Sequence, residues 1–169
     1  MTHPEEKPVT KKQKEAAESL LSRLRTVKKT EQPDVQVVID TPEEDPKIGD
    51  VVADGTVYAG ISPDTGRPMY TTRKDIMTWT SWNDAMQATD TFEKYGHKDW
   101  RLPTKGELNK LFNNRAAIGN FDTSGVFPDG CYWSSAEEII GAAKYQRFSD
   151  GMQFDDYKTR GYSVRFVRG

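Results

Sequence analysis

"KDWRLPTKGELNKLF", Lys98 to Phe112, is the stretch from which the rest of the chain is read. Thr104 and Glu107 stand at Thr-x-x-Glu spacing, in which the threonine oxygen accepts a first-turn amide and the glutamate reaches back to the cap's own amide. A helix is therefore predicted from Thr104 to about Asn114, with Leu108, Leu111 and Phe112 on one face. Pro103 cannot continue a preceding helix and holds Leu102 extended, so Trp100-Arg101-Leu102 reads as a pinned, extended entry to that helix. Arg101 is expected to satisfy local carbonyls or a carboxylate, a structural role.

Upstream, Ser81 to Tyr95 reads as another helix, opened by Ser81-x-x-Asp84 and closed by Gly96. Before it, "GDVVADGTVYAGI" carries the Asp54-Gly55 turn pair, and "SPDTGRP" is a second turn before Met69 to Thr72, which together predict a hairpin or meander. Downstream, an irregular loop, "RAAIGNFDTSGVFPDG", leads into the short strands "CYWSS", "KYQRFS", "MQFDDY" and "YSVRFVR". Asp150-Gly151 predicts a tight hairpin between the middle two, and Gly161 another turn. The pattern is α+β.

The chain has 169 residues, a net charge of −2 and one cysteine, Cys131. That length suits one ordinary domain plus an appendage. The balanced charge offers no field for a nucleic-acid backbone or an anionic membrane. A lone cysteine excludes an intrachain disulfide and a thiol cluster for zinc. The N-terminus lacks the apolar core of a secretory signal, and no run is long enough to span a bilayer. The expectation is synthesis in the cytoplasm without a signal peptide, with no nucleic acid bound and no membrane insertion.

Residues 1–47 form the appendage, charged and without aromatics, and residues 48–169 the domain. Within the appendage, Ala17, Leu20, Leu21, Leu24 and Val27 lie on one helical stripe. The stripe reads either as a surface helix docked on its own domain or as a self-association seam. Val35 to Ile39 alternates between prolines and reads as a candidate edge strand.

Catalysis and metal binding find little support. Gln32-Pro33-Asp34 and Trp82-Asn83-Asp84 match, letter for letter, sugar-binding tripeptides of calcium-dependent lectins, but a calcium cage needs six or more oxygens at one place. These two lie far apart, one in the appendage and one opening a helix. His97 follows a helix stop, and Ser134-Ser135 reads as a strand end whose hydroxyls cap the next turn. The adjacent acids Glu43-Glu44, Glu137-Glu138 and Asp155-Asp156 read as solvated loop charges. The expectation is a protein that is not an enzyme and that needs no metal and no cofactor.

Recognition remains. Strand alternation puts Met152, Phe154 and Asp156 on one face and Gln153, Asp155 and Tyr157 on the other. Rings, a methionine and acids together suit a binding patch, because rigid rings give contact area at low entropic cost.

"DWRLPTKGELNKLF", "YWSSAE", "RFSDG" and the terminal "SVRFVR" resemble the C-terminal domain family of bacterial collagen-like adhesins, over roughly residues 49–168. That family is also common in phage and secreted bacterial proteins. The resemblance implies a C-type-lectin-like fold, with two helices packed beneath a small twisted antiparallel sheet. It implies that the first and last strands pair, Val57 to Ile61 beside Ser163 to Val167, and that Trp100 and Trp133 lie in the core. The same fold contains formylglycine-generating enzymes, whose paired copper-binding cysteines are lacking here, and the variable receptor-binding proteins of diversity-generating retroelements. By likeness to the latter, the expected ligand-binding residues are Glu137, Glu138, Lys144, Tyr145, Met152, Phe154, Asp155, Asp156, Tyr157 and Lys158.

The function expected is a non-catalytic recognition module on a multivalent homo-oligomeric assembly, binding host-surface glycan or protein. The expected setting is a phage virion surface, or a secreted adhesin exported by a non-classical route. The alternative is a decoration or joining protein with no ligand of its own, docked to other structural proteins through its N-terminal segment.

Overall fold

The computed structural model describes residues 45–169, which belong to one compact unit. The predicted N-terminal helix with Ala17, Leu20, Leu21, Leu24 and Val27, and the Val35 to Ile39 strand, lie outside the described residues.

The described chain is α+β, with two sheets and no closed barrel. Its strands are β1 (Val57–Ile61), β2 (Pro68–Thr71), β3 (Met77–Thr80), β4 (Cys131–Trp133), β5 (Ala142–Arg147), β6 (Gln153–Tyr157), β7 (Tyr162–Val164) and β8 (Val167–Arg168). Its helices are α1 (Trp82–Thr89), α2 (Lys105–Asn113) and the short α3 (Arg115–Ile118). β1, β2 and β8 form the smaller sheet, in that order, and the larger runs β3-β7-β4-β5-β6.

The opening stretch folds as its spacing predicts. Thr104 accepts from the Glu107 amide at 3.1 Å while Glu107 accepts from the Thr104 amide at 3.0 Å, so both halves of the capping box are made. Leu108 and Leu111 are buried. Arg101 meets Glu107 through two nitrogens, at 2.5 and 2.8 Å, and donates to the Leu102 carbonyl. The Ser62 hydroxyl also donates to Glu107, at 2.7 Å, tying the β1–β2 turn to the helix start.

Two expectations are corrected. β1 does not pair with the last strand: β2 lies between them, with Tyr70 opposite Arg168 and Thr71 opposite Val167. The terminal segment instead divides, Tyr162–Val164 joining the larger sheet and Val167–Arg168 the smaller. The first helix ends at Thr89, well short of Tyr95. Leaving it there lets Phe92 pack edge-on against Phe166 at 5.0 Å and Trp100 at 6.0 Å. Burial of that ring outweighs one more helical turn. Gly96 serves a tight turn instead, with Tyr95 and Gly96 both at positive φ between the bridged Lys94 and His97.

Strand alternation sorts the core into two clusters. Cys131 and Trp133 face Trp82, Trp100, Leu102 and Phe166, whereas Tyr132 faces Leu108, Leu111, Phe148 and Val167. Trp100 and Trp133 are both buried, as expected. Among the described residues no buried side-chain nitrogen or oxygen lacks a hydrogen-bond partner, as a uniquely packed core requires.

Candidate recognition surface

β5 and β6 pair antiparallel through the Asp150-Gly151 hairpin, with Lys144 opposite Asp155 and Tyr145 opposite Phe154. Neighbouring positions point to opposite faces. The expected site residues therefore do not form one patch.

One face is ionic. The Lys144 ammonium lies 2.6 Å from Asp155 and 3.0 Å from Glu138, and Glu138 also approaches Lys105 at 3.8 Å. Gln153 donates to Gln146 and to the Lys105 carbonyl, so this face lies over the start of α2. Tyr157 stands here as well by alternation, largely exposed. Next to this group, Lys158 pairs with Glu137 at 2.6 Å and sits 4.1 Å over the Trp82 ring. The acids of this region thus already have cationic partners, and their capacity to capture a ligand's charge is correspondingly low.

The other face is aromatic. Tyr145 and Phe154 are half-buried with ring centroids 5.7 Å apart. Tyr145 also meets Tyr162 at 4.4 Å and Trp133 at 6.1 Å, which anchors this half-buried pair to the core. The Tyr162 hydroxyl donates to Asp156 at 2.6 Å, turning Asp156 inward. Burial and this bond push the Tyr162 phenol well above its ordinary value. Arg147 lies over Phe154 at 5.7 Å and touches the exposed Met152 sulfur at 3.5 Å.

The sequence reading missed Phe127, which is exposed and packs edge-on against Tyr162 at 5.8 Å, and with it Arg147. Phe127 comes from the irregular loop after α3, whose placement depends on a buried network. Arg165 donates from Nε to Asp75 at 2.7 Å, from Nη1 to the Thr72 carbonyl and from Nη2 to the Asn120 carbonyl, and its guanidinium lies 4.0 Å over Phe121. The Tyr132 hydroxyl donates to Asp75 at 2.9 Å and accepts from the Asp122 amide at 2.7 Å. An arginine among apolar residues gives no local sequence signal for such distant partners.

The residues weighed for chemistry occupy structural positions. The Asp84 carboxylate accepts from the Ser81 hydroxyl at the start of α1, and Trp82 beside it is buried. His97 pairs with Asp54 at 2.8 Å. Ser134 is buried and donates to the Lys144 carbonyl. Burial pushes the Cys131 thiol up to about 11, which keeps it protonated and unreactive at neutral pH. Among the described residues no group of three or more His, Cys, Asp or Glu side chains is placed to hold a metal ion. Nor is any described helix long and apolar enough to cross a membrane.

No curated protein matches the sequence. The family described as the Lcl C-terminal domain matches residues 62–168, from the β1–β2 turn through β8 and across both faces of the β5–β6 hairpin. The capped helix, the divided terminal strand and the candidate surface thus all lie within the match, and the chain belongs to this adhesin-like family.

Proposed function

We propose that residues 48–169 are a non-catalytic recognition head that binds a glycan or protein on a host surface through the aromatic face of β5 and β6. The observation that carries this is the contrast across the hairpin. One face has its charges paired internally, while the other leaves Tyr145, Phe154, Met152 and Phe127 open to solvent in whole or part. Rings fixed from behind by Trp133 and Tyr162 present contact area without losing much side-chain freedom on binding. A single head of this size binds weakly, and display in several copies raises avidity without new contacts. The setting that fits is a phage particle or a secreted adhesin, with the stripe Ala17, Leu20, Leu21, Leu24 and Val27 holding copies together.

The test is binding of the full chain to arrayed glycans and host-surface proteins. The paired change Tyr145→Ala and Phe154→Ala is expected to abolish binding, while Glu138→Gln with Asp155→Asn leaves it intact. Binding lost only in the second variant would move the site to the ionic face. Absence of any ligand, together with retention in a larger assembly through residues 1–47, would favour a joining protein.

A further inference from the structure

We propose that Trp79 is a second binding element, a stacking platform for a neutral oligosaccharide with an apolar ring face. It lies on β3, at the opposite edge of the larger sheet from β6, and does not depend on the aromatic face described above.

Of the four tryptophans, Trp82, Trp100 and Trp133 are buried and Trp79 is 64 % exposed. Trp79 also has φ 55°, a left-handed conformation in which a bulky side chain is an outlier. The register of β3 against β7 shifts between Met77 and Thr80, so Trp79 sits on a bulge. Bulges re-aim a side chain that regular pairing would place elsewhere.

The surrounding structure holds this conformation from both sides. Ile76 donates to the Val164 carbonyl before it, and the Thr80 carbonyl after it accepts from the Trp133 indole at 2.9 Å. Across from it stands Gly161, where an added Cβ would lie 2.9 Å from the Trp79 carbonyl carbon and oxygen. The glycine admits the bulge because it has no Cβ. Strain kept by the surrounding fold, in a residue whose ring contributes little to the core, points to a use for that ring outside the domain.

The exposed ring itself selects the ligand class. Thr78 and Thr80 flank Trp79 in sequence, and exposed Arg160 precedes Gly161 in the turn before β7. A protein hot spot sits inside a water-excluding ring of contacts. A single exposed indole instead suits a sugar ring, whose axial C–H groups meet the electron-rich ring face while its hydroxyls stay in water. The chain's near-zero net charge supplies no attraction that would favour an acidic polymer.

The experiment uses the full chain and three neutral probes: triacetylchitotriose, cellotriose and β-1,4-galactotriose. Because the other three indoles are buried, the fluorescence that acrylamide quenches belongs to Trp79. At least one probe is expected to protect that emission and shift it to the blue. Trp79→Ala should weaken binding by roughly tenfold or more, as loss of a stacked ring does, and Trp79→Phe should retain most of it. If Trp79→Ala fails to fold by circular dichroism, protection in the native chain and the affinity of Trp79→Phe decide. Failure of all three probes to protect the indole, or unchanged binding in Trp79→Ala, overturns the proposal. Binding lost in Tyr145→Ala with Phe154→Ala but kept in Trp79→Ala also overturns it, while leaving the aromatic-face reading standing.

Discussion

Two arginine–carboxylate pairs hold this domain together, and they are buried in opposite senses. In the crossover before α2, Glu107 is 0 % exposed and Arg101 is 36 % exposed. Beneath the loop that carries Phe127, Arg165 is 0 % exposed and Asp75 is 17 % exposed. One pair buries its acid and the other its base. The member left without water is the one that cannot lose its partner, because an uncompensated buried charge costs more than the pair gains. The consequences also differ, since the first pair fixes a helix start while the second places the loop that carries Phe127 to Tyr162.

The largest effect is therefore expected from Asp75→Ala, which leaves Arg165 buried with two backbone carbonyls and the Phe121 ring but no counter-charge, at a cost of about 3–5 kcal/mol in denaturant titration. Replacing both members, Asp75→Ala with Arg165→Met, should recover much of that loss; no recovery would show that the carbonyl contacts, not the charge, hold the loop. Glu107→Ala should cost less, about 2 kcal/mol, because Arg101 can turn to water and the chief losses are a cap and buried hydrogen bonds.

Acid titration sharpens the contrast. Burial raises the Glu107 carboxyl, but bonds from Arg101, Ser62 and the Thr104 amide outweigh it and leave it below the ordinary value of 4.5. Its contribution to stability is present above that value and is lost as pH falls through the lower folded value. Burial of Asp75 prevails over Arg165 and Tyr132 and raises it above 3.8. That group favours the folded state below 3.8, an advantage lost as pH rises through its raised value. Stability below pH 4.5 should thus fall less steeply in Glu107→Gln and more steeply in Asp75→Asn than in the native chain. Parallel curves for all three would mean that neither group governs the acid limb. The smallest effect belongs to Lys144→Ala on the ionic face, which should leave Tm unchanged within error, as surface pairs usually do.

The cap built on Glu107 was legible in the sequence, its pairing with Arg101 only as an unnamed carboxylate, and the second pair not at all. Thr104, Glu107, Pro103 and the apolar spacing after them act within a few residues of one another, and local geometry fixed their roles. Asp75, Arg165, Tyr132 and Asn120 meet only because the chain folds back over long separations. The same limit applies to the proposed recognition surface: alternation sorted Phe154 and Asp156 from Asp155 and Tyr157 correctly along β6, but Phe127 and Arg147 reach the aromatic face through tertiary placement. The helix predicted to Tyr95 failed because Phe92 is drawn into the core, and propensity yields to that burial. Trp79 carried no periodic signal, since a bulge is defined by its partner strand.

The division of the terminal segment constrains how the domain forms. Residues 162–164 fill the place between β3 and β4, and residues 167–168 cover β2. A chain still lacking these residues has two sheets with missing strands, so the complete fold requires residue 168. Closure of both sheets by one segment, over long sequence separations, is the kind of non-local pairing that slows folding.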